Sequence, residues 1–201
     1  MARRNEHTQE ELKKMIIAAA EQIVIEQGFS ALTARKIAAK INYTVGSIYM
    51  VFTNMDDLIT QLKANVLDAI TDEMNQLRHV PPAQYLEEMA KTYLQFSSQN
   101  FNRWSMIFEH RLPDGNPVPE WYQHKVEEAF QRVEAQFKAL TPSCSDIQIQ
   151  RAARAIWGGI HGICALSLSN RLNSLDVYDI EGNMVLLVRN FVIGWINSAD
   201  R

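Results

Sequence analysis

The sequence predicts an all-α fold, and three observations predict it. Apolar residues recur at three- and four-residue steps, as in Leu12, Met15, Ile16, Ala19, Ile23 and Val24. That is the period of a helix with one buried face. Helix starts are marked by capping boxes, Thr8 with Glu11 and Ser145 with Gln148, in which each side chain satisfies an otherwise orphan backbone N–H. Only 8 glycines and 6 prolines occur in 201 residues, too few for a loop-rich β chain or a disordered one. Hydrophobic residues make up 47%, enough for one domain or two small ones with a sizeable core.

The first helix runs from the Thr8 box to about Gln27, where Gly28 is a stop signal. Phe29 and Leu32 can pack back under its apolar stripe. Thr33 is an N-cap candidate for a short helix whose apolar face is Ile37, Ala38 and Ile41. Asn42 sits where that helix ends, and Asn tolerates the left-handed conformation needed there. Thr44 is the next N-cap candidate. The helix after it is predicted to turn Ile48, Tyr49 and Phe52 inward and Gly46, Ser47 and Met50 outward. Two short helices joined by a tight turn form a helix-turn-helix.

Gly46-Ser47-Ile48-Tyr49-x-x-Phe52, followed by Asn54-Met55-Asp56-Asp57-Leu58, resembles the signature of the TetR family of transcriptional regulators. Gly28-Phe29 and Thr33-x-x-x-Ile37-Ala38 match the preceding part of it. The likeness spans Leu12 to about Leu62, and the rest of the chain is similar in architecture alone. It implies a homodimer with an N-terminal three-helix DNA-binding domain, residues 8–54, and a C-terminal helical effector-binding and dimerisation domain, residues 55–201. It implies DNA contacts from Thr33, Arg35, Lys36, Thr44, Val45, Gly46, Ser47, Tyr49 and Met50. Arg35 and Lys36 read alone are as well explained by a solvated face. Tyr49 read alone is a core ring or an amphipathic one with its hydroxyl at a phosphate. Arg3 and Arg4 form either an arm toward DNA or a frayed terminus. Two positions depart from the family pattern, Val51 before Phe52, where His or Tyr is frequent, and Met55 after Asn54, where Lys is frequent. Both departures remove phosphate contacts rather than base readout.

Asn54, with Asp56 and Asp57 in the first turn, starts a long helix carrying Ile59, Leu62, Val66, Ile70, Met74 and Leu77. It is predicted to connect the two domains without a flexible linker. Helices follow over 83–99, 101–108 and 120–140, with a loop around Pro113, Asp114-Gly115, Pro117 and Pro119. The last two helices, from Ile147 to about Leu168 and from about Asn183 to Ser198, are apolar nearly all round. Such helices have two faces to bury, which predicts a homodimer through both of them. Gly158 and Gly162 allow a neighbouring helix to come close on one side.

Met89, Tyr93, Phe96, Trp104, Phe108, Phe130, Trp157 and His161 are the candidates for contacting an effector. Each taken singly is more simply a core residue. Together, and with the family resemblance, they imply a cavity for a small apolar or aromatic molecule. Trp157-Gly-Gly-Ile-His161-Gly162 also resembles the Trp–His–Gly motif of one class of the family's effector domains.

Formal net charge is −3. The segment Met1 to Phe52 carries +2 and the remainder −5, so the basic excess coincides with the helix-turn-helix. It is small enough that nonspecific DNA affinity should be weak and salt-dependent. No secretory signal and no apolar run of membrane-spanning length are visible, which predicts a cytoplasmic protein with no membrane partner. Cys144 and Cys164 form no disulfide framework. His161 and Cys164 share a helix face, but no orienting acid, oxyanion site, metal-ligand set or phosphate loop accompanies them. No enzyme activity, metal or cofactor is expected. The sequence therefore predicts a regulator, most simply a repressor, that binds a palindromic double-stranded operator and is released by a small molecule. The alternative is a helical protein-interaction module without DNA binding.

Overall fold

A computed structural model describes residues 7–77, 80–113, 117–168 and 179–199. Arg3, Arg4 and the Asp114-Gly115 turn lie outside these residues. Among them are nine α-helices and one 3-10 turn, and no strand. The helices are α1 (Gln9–Gln27), α2 (Ala34–Lys40), α3 (Val45–Tyr49), α4 (Met55–Asn75), α5 (Pro82–Gln99), α6 (Phe101–Glu109), α7 (Glu120–Leu140), α8 (Asp146–Leu168) and α9 (Ile180–Ala199). The turn, η1, is Phe29–Ala31.

The described residues pack as two compact units. One comprises the residues up to Val66 together with Asn100–Tyr122, and the other Leu67–Gln99 with the residues from Gln123 on. α4 is one unbroken helix with residues in both. This packing division differs from the functional boundary at 54/55 drawn from the sequence.

In the first unit, α1 is the platform. Leu12, Ile16, Ala19, Ala20, Ile23 and Val24 are its buried stripe, and α2, η1 and α6 pack on it. Its start is the capping box between Thr8 and Glu11. Its end is Gly28, with φ 79° and ψ 168°, a region open essentially to glycine alone. α2 is capped by Thr33, whose hydroxyl accepts from Lys36 N–H at 3.2 Å. It ends in a Schellman motif: Tyr43 N–H donates to the Ala38 carbonyl at 2.9 Å and Asn42 N–H to the Ala39 carbonyl at 3.3 Å. Asn42 has φ 58°, the one non-glycine residue at positive φ among those described. α6 joins this unit through Arg103, which pairs with Glu21 at 2.5 Å, and through Asn102, whose amide donates to the Ile25 carbonyl at 3.0 Å.

In the second unit, α5 and α8 pack together and both pack on α9. The shared core is Leu86, Met89, Ala90, Tyr93 and Phe96 of α5, Ile149, Ala153, Ile156, Ile160 and Cys164 of α8, and Met184, Val188 and Val192 of α9. α8 and α9 pack tightly at Gly159, where an added Cβ would lie 2.7 Å from Leu187 Cδ2. Gly158 and Gly162 instead face open space. Phe137 of α7 is fully buried between the rings of Phe191 and Trp195, and Trp195 Nε1 donates to the Thr141 hydroxyl at 2.9 Å. Lys125 with Asp68, and Arg132 with Asn75, join α7 to the second half of α4. A bidentate pair from Arg189 to Glu87, at 2.8 and 2.9 Å, joins α9 to α5.

The turn between α2 and α3 rests on Asn42 in the left-handed region. Asn42→Ala should lower unfolding stability by about 1–2 kcal/mol, the strain of placing an ordinary side chain there. Asn42→Gly should be nearly neutral. Urea denaturation of the two variants checks this, and equal midpoints for Ala and Gly would refute it.

Candidate nucleic-acid interface and effector site

α3 is five residues long, too short to persist alone in water. Its position is imposed. Ile48 and Phe52, one turn apart, are buried with Ile37 and Ala38 of α2. Thr44 caps it, its hydroxyl accepting from Ser47 N–H at 3.3 Å and sharing a hydrogen bond with the Ser47 hydroxyl at 2.9 Å. Two bonds from the start of the chain hold its ends. His7 Nδ1 pairs with the Tyr43 hydroxyl at 2.7 Å, and Gln9 Nε2 donates to the Met50 carbonyl at 3.1 Å. His7, Gln9 and Tyr43 were not visible as site residues in the sequence. Their partners lie 36 and 41 residues away, and no local spacing records such contacts.

Thr33, Arg35, Lys36, Thr44, Val45, Gly46, Tyr49 and Met50 are exposed and Ser47 is partly so. Tyr49 corrects the sequence expectation that its ring turns inward, because the residue is 47% exposed. A helix advances about 100° per residue, so once Ile48 faces the core Tyr49 shares the outer face of Val45, one turn earlier. The cations flanking α3 are partly engaged. Lys36 Nζ donates to Gln27 Oε1 at 2.8 Å, and Lys40 lies 3.6 Å from Glu26. The Glu26 carboxyl is held below its usual range, first by a hydrogen bond from Gln22 and then by Lys40. Arg35 is exposed. Beyond α3, Asn54 Oδ1 accepts from Asp57 N–H at 2.9 Å and Asp57 Oδ2 accepts from Thr53 N–H at 3.0 Å, so the start of α4 is fixed directly behind α3. Asp56 pairs with His110 Nε2 at 2.9 Å. Lys63 is half-buried, over the Tyr122 ring and bonded to the His110 carbonyl at 3.4 Å, so its ammonium is engaged inside this unit.

The effector candidates fall in both units. Met89, Tyr93 and Phe96 of α5, Phe130 of α7, and Trp157 and His161 of α8 belong to the second. There His161 stacks on Trp157 with ring centroids 5.2 Å apart and planes 10° apart. His161 Nδ1 is 3.1 Å from the Tyr93 hydroxyl. Trp157 meets the edge of Phe130 at 5.6 Å, and the Arg154 guanidinium lies 5.0 Å over Phe130. A continuous aromatic string with one polar pair in it therefore crosses three helices. Trp104 and Phe108 of α6 belong to the first unit, where Trp104 is buried against Phe101 and Phe108.

The Cys164 thiol is fully buried. Burial pushes the Cys164 thiol up to about 11 against a lowering hydrogen bond from Ser97, so it is protonated at neutral pH and a poor nucleophile. His161 is committed to Tyr93 and Trp157. Both cysteines are buried and unpaired with each other. Among the described residues, no three His, Cys, Asp or Glu side chains come together as a metal set, and no helix is long and apolar enough to cross a membrane.

Burial lowers the His161 pKa from 6.5. The folded state then binds a proton less readily than the unfolded one, so this contribution to stability is intact above pH 6.5 and is lost as pH falls through the folded value. His161→Asn should flatten the loss of stability between pH 7.5 and pH 5.5 in thermal or urea unfolding. An unchanged pH profile in the variant would refute the assignment.

The sequence model of bacterial regulatory proteins of the tetR family matches residues 16–62. That of the Tetracyclin repressor-like C-terminal domain matches residues 86–191. A comparison with curated proteins finds no match. Among solved structures, the protein SCO4313 is similar with a TM-score of 0.72 at 17% identity, over 94% of this chain and 98% of that one. BioQ with its natural double-stranded DNA operator is similar at 0.62 and 16%, over 90% and 98%. A TetR variant from Acinetobacter baumannii AYE in complex with minocycline is similar at 0.65 and 18%, over 91% and 92%. At such identities these likenesses speak for the fold, whereas the two sequence models cover both the helix-turn-helix and most of the helices after it. The chain belongs to the TetR family of bacterial DNA-binding transcriptional regulators.

Proposed function

We propose that the protein is a homodimeric repressor that leaves a palindromic operator when a small apolar or aromatic molecule binds its second unit. The observation that carries this reading is the two-sided character of α3 and the three residues that follow it. One side, Ile48 and Phe52, is buried, and the other is presented to solvent with Met50 68% exposed. The DNA contacts are assigned to Thr33, Arg35, Lys36, Thr44, Val45, Gly46, Ser47, Tyr49 and Met50, with residues 8–54 as the reading part and 55–201 as the responding part. BioQ, a structural relative, is described with its DNA operator, and the Acinetobacter TetR with minocycline. Both support the same division of labour here.

Dimerisation is assigned to α8 and α9. Leu186 and Ile193, two turns apart on α9, are 61% and 58% exposed, and Ile147 and Leu166 of α8 are exposed as well. Gly158, Gly162 and Gly194 open onto space, which lets a second backbone approach. A two-fold pair would hold two α3 helices at one turn of B-DNA, about 34–36 Å. Effector contacts are assigned to Met89, Tyr93, Phe96, Phe130, Trp157 and His161, all in the second unit. An effector that prefers a dimer with another spacing lowers operator affinity by its preference between the two states. The unbroken α4, capped at Asn54, is the element through which a tilt would reach α3.

Capture of genomic DNA fragments by the purified protein tests the reading, and failure to retain any duplex refutes it. The pair Leu186→Glu and Ile193→Glu should give a monomer in sedimentation equilibrium at micromolar concentration and weaken operator binding at least tenfold. A monomeric parent protein would overturn the dimer. Arg35→Ala should weaken binding to all duplexes alike and reduce the slope of log affinity against log salt by about 1 per subunit. Loss of sequence preference instead would mean that Arg35 reads bases.

A further inference from the structure

The exposed face of α3 lacks the chemistry for reading guanine. No Lys or Arg occurs between Lys40 and Lys63, and the usual guanine contact is a bidentate cation in the major groove. Lys63 is engaged with His110 and Tyr122. The groups that read cytosine or adenine are also committed. Asp57 accepts from Thr53 N–H, Asp56 is paired with His110 and Asn54 Oδ1 caps α4. Asn42 precedes α3, in the left-handed turn after α2. The Thr44 and Ser47 hydroxyls are bonded to each other, and hydroxyls discriminate poorly between bases.

What remains is mainly apolar, with the Tyr49 hydroxyl as its polar group. Val45, Tyr49 and Met50 are 38%, 47% and 68% exposed, and they adjoin Gly46, which has no side chain to hold the helix off. Val45 and Tyr49 lie one turn apart, as do Gly46 and Met50, so the four form one patch. The thymine 5-methyl is the one apolar group on the base edges of the major groove. Resting on the DNA-binding reading above, we infer that α3 specifies its half-site by packing Val45, Tyr49 and Met50 on thymine methyl groups, so that the base pairs beneath it are A·T.

The test uses the full-length protein and a duplex selected from a randomised pool. Thymine in each half-site is replaced, one position at a time, by deoxyuridine, which differs by the methyl alone. Each methyl buried under α3 should cost about fourfold in affinity, with no effect at positions outside the helix. 5-Methylcytosine at such a position should bind more tightly than cytosine. Met50→Ala, an exposed change that leaves the core intact, should abolish sensitivity to deoxyuridine at one position while leaving it at the others. Selection of G·C pairs under α3, or deoxyuridine duplexes bound as tightly as their parents, overturns the inference and leaves DNA binding standing. Selection that yields no bound duplex overturns both.

Discussion

Everything at the DNA-facing end depends on burial of Ile48 and Phe52 beneath a helix too short to stand alone. A five-residue helix has almost no hydrogen-bonded ladder, so its conformation is borrowed from its surroundings. The apolar stripe of α1 supplies the floor, Ile37 and Ala38 of α2 the wall, and the Schellman turn at Asn42 the angle between the two short helices. His7 and Gln9, at the start of the platform, fasten both ends of the loaned helix by Tyr43 and the Met50 carbonyl. Apart from the Thr44 cap, the outward side chains Val45, Tyr49 and Met50 carry none of this fastening. They can therefore vary with the operator without unfolding the motif, which is the separation a family of regulators needs.

The same economy shows in the first turn of α4. Asn54 and Asp57 close a reciprocal cap with the chain leaving α3, and Asp56 reaches His110 at the end of α6. The His110 ring also meets the edge of Phe29, and its carbonyl accepts from Lys63. One residue at the end of α6 thus touches η1 and two turns of α4. This explains why residues 100–122 pack with the first unit although they lie far along the chain.

Local features of the fold were legible and distant ones were not. The caps at Thr8, Thr33, Thr44, Asn54 and Ser145 and the turn at Asn42 are all relations between residues three to five apart, and the structure has every one of them. The bonds between His7 and Tyr43, Asp56 and His110, and Tyr93 and His161 span 36 to 68 residues, and nothing in a spacing rule records them. Tyr49 was misplaced for a different reason. Its hydrophobic character suggested the core, but its angular position relative to Ile48 decides, and that places it outside. Trp104 and Phe108 show a third limit: periodicity tells which face of α6 is apolar, not which unit that face joins.

The two exposed apolar patches make sense only together. On the proposed reading, a recognition helix with three apolar contacts, no Lys or Arg between Lys40 and Lys63, and Val51 and Met55 where the family pattern has phosphate contacts gives one subunit a thin hold on DNA. Weak sites become strong when they are linked, because the second contact is then made at an effective concentration of about millimolar rather than at the concentration in solution. In the proposed dimer the apolar faces of α8 and α9 provide that link. The thinner the individual contact, the more operator affinity depends on the spacing of the pair, and the smaller the change in spacing that is enough to release it. Sparse charge on the recognition surface thus favours control by an effector, since a subunit that gripped phosphates strongly would stay bound whatever its partner did.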